Sequence, residues 1–427
     1  MPHDLERTGT TFLHDLSSAL FAAGGRTGVD QGSPPDHERV LCKSTRSQAV
    51  TRGPVGRSTL LLSEIVRDIR GIETVTGSHR RHLDEAINWL YTAQDATDTG
   101  GCASAYNLVL GWGGSYPETT GYIIPTLYDY ADSTPTDEPR LRAEAMAEWL
   151  LSVQFDDGSF PAGDEPSPTA APSIFNTGQI VFGLVRAHEE TGDTRFFDAV
   201  SLACDWLTDV QHPDGYWDQF DYNDTVHSYS ARVGWALAEA YELTGEDHHR
   251  EAAIRNLRWG ATQRRPNGWF DKCGFKADED PFLHTIAYTI RGLLEGGMLL
   301  DKPELVREAR AAADAFHNLQ THEGILLGRY DERLKGSDFY CLTGNAQMAI
   351  VWYRLFEEME DPKYRQAADE TVAFLKSHQR MDGPPEVRGG LRGSAPVWGP
   401  YMYLRYPNWA AKFLTDALML AERLPKA

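Results

Sequence analysis

One phrase recurs along this chain: "QFDDGSF" at 154–160, "QHPDGYW" at 211–217, "QRRPNGWF" at 263–270 and "QTHEGIL" at 320–326. Each follows a helical stretch carrying an aromatic anchor, and two further stretches end on Gln94 and Gln379. The anchors are Trp89, Trp149, Trp206, Trp259, Phe316 and Phe374, at separations of 60, 57, 53, 57 and 58 residues. Near-even self-similarity at this period marks a chain built from one repeated supersecondary unit. Between the anchor helices lie second helical stretches at 120–131, 176–190, 228–243, 284–299, 343–358 and 408–423. These are apolar around more of their circumference, as inner helices must be. Six nearly strandless pairs predict an all-α (α/α)6 toroid of six helical hairpins, with inner and outer helix rings. An open solenoid is the competing architecture. Six units whose second helices need burial on every side favour closure.

The connections are unequal. Links from second to first helix are short turns such as 191–193 and 244–247, where Gly192 and Gly245 read as helix C-caps. Links from first to second helix are long and aromatic, as at 96–118, 212–227, 264–283, 321–342 and 380–407. The long loops therefore gather on one face, where function usually resides. The inner helices point their N-termini at that face, so it favours an anionic group.

Residues 1–57 lack this periodicity and read as a flexible leader, leaving 58–427 as a single catalytic toroid. The apolar patch within the leader is too short for a membrane span and lacks the basic start of a secretory signal. A cytoplasmic protein without transmembrane segment is expected. Net charge is −21, which argues against nucleic acid or an anionic membrane as partner. The five cysteines (42, 102, 204, 273 and 341) are scattered without a CxxC pair, so buried thiols are expected, with no metal and no cofactor.

Candidate chemistry lies where the repeats stop being alike, at the inner-helix starts. Thr119, Asn176, Ser228 and Asn408 read first as N-caps. His227, Tyr229, Arg232, His284, Tyr288 and Arg291 are harder to explain so, because a cation or imidazole on an inner face needs a partner or a cavity. His284, Tyr288 and Arg291 fall at i, i+4 and i+7 and share a helix face. Trp217, Trp269 and Trp398 are candidate sugar-stacking platforms in the loops. Tyr, His and Arg together suit proton removal beside a carboxylate: the cation neutralises a uronate, and Tyr or His moves the C5 proton. Return of the proton to the opposite face gives epimerisation, whereas loss of the C4 substituent gives β-elimination. The rival is a carboxylate pair for glycoside hydrolysis, drawn from Glu118, Asp218, Asp221, Asp331 and Asp338.

The repeated phrase resembles the QW repeats of terpene cyclases, which share the toroid; their DxDD acid motif is absent here. Residues 80–423 resemble toroidal uronate-processing enzymes, lyases and D-glucuronyl C5-epimerases among them. The epimerase catalytic domain is echoed in "GQIVFGLVRAHEETGD" (178–193), "YDERL" (330–334) and "DFYCLTGNAQ" (338–347). That resemblance implies Tyr330 and Tyr340 as site tyrosines and Arg333 as a carboxylate partner; "DFY" stands where the family has "DYH".

The resulting expectation is a glucuronyl C5-epimerase acting on an oligo- or polysaccharide, lipid-linked oligosaccharides included. Tyr330, Tyr340, His284 and Tyr288 move protons, and Arg232, Arg291 and Arg333 hold the carboxylate. Asn176, Gln179, His227, Tyr229, Asn345, Gln347 and Glu118 complete the binding set. A lyase, a hydrolase or a non-catalytic glycan-binding toroid are the alternatives.

Overall fold

The computed structural model describes residues 53–71, 77–164, 166–167 and 169–425. Most of the leader expected at 1–57, and Cys42 within it, lies outside the described residues. Among the described residues are thirteen α-helices and five short strands. The helices are α1 (Pro54–Arg70), α2 (His79–Asp95), α3 (Pro117–Ala131), α4 (Glu138–Val153), α5 (Ile174–Thr191), α6 (Thr194–Asp209) and α7 (Ala231–Thr244). They continue with α8 (Asp247–Thr262), α9 (Leu283–Leu299), α10 (Pro303–Glu323), α11 (Leu342–Met359), α12 (Pro362–His378) and α13 (Asn408–Arg423). The inner ring is α3, α5, α7, α9, α11 and α13; each packs on the next, and α13 returns to α3. The (α/α)6 toroid is thus closed rather than an open solenoid.

Sequence pattern dictates which ring a helix joins. Outer α2 starts at Ser78, whose hydroxyl accepts from Arg81 N, and buries one stripe through Leu83, Ile87, Leu90 and Gln94. Inner α9 buries all but a few of its residues, as an all-round apolar helix must. The anchors Trp89, Trp149, Trp206 and Phe316 are buried, while Trp259 and Phe374 are half-buried. Gly192 and Gly245 adopt left-handed backbone and cap α5 and α7 as the short turns predict.

The recurring glutamine joins neighbouring units. Gln94, Gln154, Gln211 and Gln379 each donate to the carbonyl of the glycine in their own turn: Gly100, Gly158, Gly215 and Gly389. The same amides donate again to the next outer helix, at Arg142 O, Ala199 O, Ala252 O and His82 O. Gln320 makes only the second bond, to Ala367 O. Gln263 turns back onto its own helix, and the ion pair Arg264–Glu308 spans that junction instead. The glycine is obligatory where the turn presses on the neighbouring helix. Gly215 has φ +99°, and a Cβ there would lie 2.4 Å from Arg255 O.

The last staple spans the chain, since Gln379 reaches His82 across 297 residues. Outer α2 therefore packs most closely on inner α13, so the first outer helix completes a hairpin with the last inner one. Helix α1 is an addition to the twelve of the repeat. It is held to the 380–407 loop by Asp68, which accepts from Arg392 at 2.6 Å and from Val397 N at 2.7 Å. Glu64 accepts from Tyr406 at 2.7 Å alongside.

Replacing Gln211 by Ala removes its hydrogen bonds to Gly215 O and Ala252 O, although Asn256 still donates to Gly215 O, a loss of about 1–3 kcal/mol. Gly215→Ala is expected to cost more than Gln211→Ala in guanidinium denaturation, because strain and clash add. Gly163→Ala serves as the control: φ is +88° but the space is open, so it should cost less than Gly215→Ala.

Candidate functional site

The first residues of the inner helices converge on the long-loop face. The residues preceding these helices are Tyr116, Ser173, His227 (ahead of a short 3-10 turn into α7), Phe282, Cys341 and Pro407. At their centre is Glu118, in the first turn of α3. Its carboxyl accepts a short hydrogen bond from the Tyr116 hydroxyl. The residue lies deep in the ring yet keeps some solvent exposure, as a side chain lining a narrow crevice does. Burial pushes its carboxyl up to about 7, against the opposing effects of the Tyr116 hydrogen bond and the Arg232 charge.

Around Glu118 stand amide, aromatic and cationic groups from four inner helices: Gln179 of α5, Arg232 of α7, His284 and Tyr288 of α9 and Gln347 of α11. Arg232 is 2% exposed; its Nε donates to Gln179 Oε1 at 2.8 Å. Its guanidinium sits 4.6 Å from the Tyr288 ring centre and 5.2 Å from that of Trp235. Among the described residues no carboxylate lies within ion-pair distance of Arg232. Burial pulls it down to about 10, so it remains charged at neutral pH. His284 is buried, 4.3 Å from Tyr288 and 5.2 Å from Tyr401 between ring centres. Gln347 Nε2 lies 2.5 Å from His284 Nδ1 and holds the ring's orientation. Burial pulls that imidazole down to about 3, so it is neutral at pH 7. The phenols of Tyr116, Tyr229, Tyr288 and Tyr401 are all pushed up by burial and stay protonated.

Of the residues expected from sequence, the structure brings together Glu118, Gln179, Arg232, His284, Tyr288 and Gln347. Tyr229 joins them from the side, edge-on to Phe175 at 5.3 Å, with His227 stacked on it at 4.4 Å. His227 Nε2 is engaged with Tyr222 O at 2.7 Å, which holds the 218–227 loop.

Other expected residues stand elsewhere. Tyr330 is fully buried and packs edge-on against the outer anchor Phe316 at 5.3 Å, its hydroxyl accepting from Leu327 N. Tyr340 faces the outer anchor Phe374 at 5.0 Å. Arg333 is exposed in a turn where Asp331 accepts from its backbone N–H and from that of Lys335. Arg291 lies further along the axis, beside Glu295 and over Trp235. Trp217 is 1% exposed and donates to Leu207 O, which makes it core rather than a sugar platform. Trp269 stacks with Arg265 and donates to Tyr330 O, while Trp398 is half-buried in the 380–407 loop. Asp218 and Asp338 are exposed; Asp221 is buried and accepts from Ser230 and from Tyr222 N, tying the 3-10 turn together.

The asparagines prove to be loop clamps. Asn176, Asn345 and Asn408 donate to Pro161 O, Leu326 O and Ala103 O, holding the aromatic end of each preceding loop. They sit inside the helix rather than at the N-cap, and in α5 the cap is Ser173. Thr119 likewise takes a hydrogen bond from Asn408 and is not a cap, and Ser228 opens the 3-10 turn before α7.

Sequence reasoning missed Tyr116, Tyr401, Trp409 and Asp164. Trp409 Nε1 donates to the Tyr401 hydroxyl at 2.8 Å. Asp164 is exposed, accepts from Ser104 Oγ at 3.0 Å and lies within electrostatic reach of Tyr116. Aligning the residues that immediately precede the inner helices would have singled out Tyr116. The cysteines 102, 204, 273 and 341 are buried free thiols, as expected. No helix among the described residues is long and apolar enough to cross a membrane.

A profile of the β-L-arabinofuranosidase GH127 catalytic domain matches residues 118–328, just under half the chain. A search of curated proteins returned no match. Three solved structures align over nearly their whole length. The unsaturated glucuronyl hydrolase of Bacillus sp. GL1, described as responsible for glycosaminoglycan degradation, is 15% identical. The alignment covers 81% of this chain and 97% of that one, with a TM-score of 0.65. Cellobiose 2-epimerase from Bacillus thermoamylovorans is 11% identical over 86% of this chain and 100% of that one, at 0.63. A polysaccharide lyase is 12% identical over 82% and 100%, at 0.60. At such identities the likeness establishes the (α/α)6 toroid, an architecture these glycan enzymes share.

Tyr116→Phe removes the donor that stabilises the ionised Glu118. The Glu118 carboxyl is therefore expected to titrate above its starting value of about 7, measured by 13C NMR of labelled glutamate. An unchanged or lower midpoint would show that Tyr116 does not hold the carboxylate.

Proposed function

We propose that this chain is a glycan-processing enzyme whose central acid is Glu118, with glycoside hydrolysis as its reaction. The observation carrying the reading is a carboxyl at about 7, deep in a crevice where the inner helices begin and still touched by solvent. Such a group is protonated near neutral pH and can give its proton to a leaving glycosidic oxygen. Asp164 is the candidate second carboxylate. It is exposed, so its environment differs from that of Glu118, and paired carboxylates with divergent environments divide acid and base roles. The partial match to a glycosidase catalytic domain begins at Glu118 itself, and the resemblance to an unsaturated glucuronyl hydrolase points the same way. A uronate-containing oligo- or polysaccharide is the favoured substrate class, because the uncompensated Arg232 charge acts on the same crevice.

C5 epimerisation is the second reading, favoured by the clustering of His284 and Tyr288 beside Arg232. It loses Tyr330, Tyr340 and Arg333, which face the outer layer or solvent. It is further weakened because the buried phenols stay protonated, leaving neutral His284 as the base.

Glu118→Gln should lower reducing-end release from a glucuronate-containing oligosaccharide roughly 100-fold or more, while Tyr330→Phe stays near wild type. In the wild type, kcat/KM should fall as pH rises through about 7, because the acid form is the working form. The same incubation in heavy water separates the readings. Loss of the H5 signal without cleavage supports epimerisation, and new absorbance of an unsaturated uronate supports elimination; either result overturns hydrolysis.

A further inference from the structure

The toroid axis is hollow at the end opposite Glu118. A cavity of about 720 Å³ runs from the second turns of the inner helices to their C-terminal ends, with wall residues from all six. This lies within the range of small-ligand sites. It opens among the short turns, by exposed Asp132, Ser133 and Glu422. Glu118 does not line it; of the residues gathered around Glu118, Arg232 reaches both.

The inner end of the cavity is cationic. Arg232, Arg291 and Lys412 line it; Arg291 lowers the proton affinity of Arg232, and both arginines lower that of Lys412, so the three are close enough to repel. Lys412 is offset by Asp416, and Arg291 shares Glu295 with Arg354. Arg232 has no such partner among the described residues. Its Nη1 and that of Arg291 are buried without a hydrogen-bond acceptor. A guanidinium buried and uncompensated, as Arg232 is, is costly, and an anion between the Arg232 and Arg291 forks would supply the acceptors their Nη1 atoms lack. Trp235 and Phe182 form an aromatic wall beside the cations. Toward the mouth carboxylates join the cations, with Glu189 and Glu239 as acceptors for hydroxyl groups beside the Arg186–Asp129 ion pair.

We infer that this axial cavity is a second ligand site, distinct from the crevice around Glu118, for a small polyhydroxylated carboxylate of monosaccharide size. The carboxylate lies against Arg232 and Arg291, one sugar face against Trp235, and hydroxyls donate to the carboxylates nearer the mouth. A simple anion satisfies only the inner end and a neutral sugar only the outer part, so both bind more weakly. The inference does not depend on the catalytic reading.

The test is isothermal titration of the full chain with glucuronate, with acetate and glucose as comparison ligands. Glucuronate is expected to bind one per chain, at least ten times more tightly than either. Arg291→Gln should weaken it tenfold or more, and Arg291→Lys should restore part of the loss; melting temperatures confirm that both variants fold. Glu118→Gln should not weaken the binding, since loss of that negative charge leaves the Arg232 cation less satisfied and favours the anion if it changes the affinity at all. Absence of glucuronate binding, equal binding of acetate, or affinity indifferent to Arg291→Gln overturns the proposal. Loss of binding in Glu118→Gln also overturns it, by assigning the ligand to the loop-face crevice.

Discussion

Ring closure rests on one side-chain amide used repeatedly. A glutamine at the end of an outer helix has two N–H donors, one for its own turn and one for the neighbouring outer helix. A hydrophobic contact could hold two helices together, but it would not set their rise along the axis. Paired hydrogen bonds to backbone carbonyls do, because each is lost over a fraction of an ångström. Gln379 makes the same pair of bonds to Gly389 and to His82, so the seam where the ring closes has the geometry of the junctions at Gln94, Gln154 and Gln211. With that register fixed, all six inner helices begin at one level and their N-termini meet on one face.

That convergence explains why the inner-helix starts carry so many polar residues. The long loops must return to the axis and leave few backbone groups unpaired once buried. Side chains in the first turn of the inner helices do this work, as Asn176, Asn345 and Asn408 donate to loop carbonyls. Thr120 and Thr177 accept from loop amides at Cys102 and Phe160. Once these clamps are set aside, what remains is a smaller group around Glu118 with less to do for the backbone. Tyr116 donates to a carboxyl, and Gln347 and Gln179 orient an imidazole and a guanidinium.

The fold was legible because its signal is repeated six times. A Trp or Phe at one helical position, a glutamine and a glycine turn recur at nearly constant spacing, and each copy corroborates the rest. The site was only partly legible, since it occurs once. Asn176 and Gln179 are both polar residues early in the same apolar helix, yet one clamps a loop and the other meets Arg232. Periodicity assigns a helix face but not a depth. Arg291 shares a face with His284, but seven residues carry it roughly 10 Å along the axis, into the other end of the toroid. Tyr330 and Tyr340 were reached through short motifs, which say nothing about which ring a side chain faces. Both turn toward the outer anchors.

Arg232 gives the axis its electrical organisation. It sits between an acid on the loop face and a cationic pocket on the other, screened by Tyr288, Trp235, Phe182 and Phe413. Its charge helps keep Glu118 from rising further, so any anion that neutralises the guanidinium favours the protonated acid. An aromatic sleeve of this kind excludes water and leaves that interaction less screened than it would be at the surface. The two ends of the toroid therefore share one buried charge, and what occupies either end is felt at the other through it.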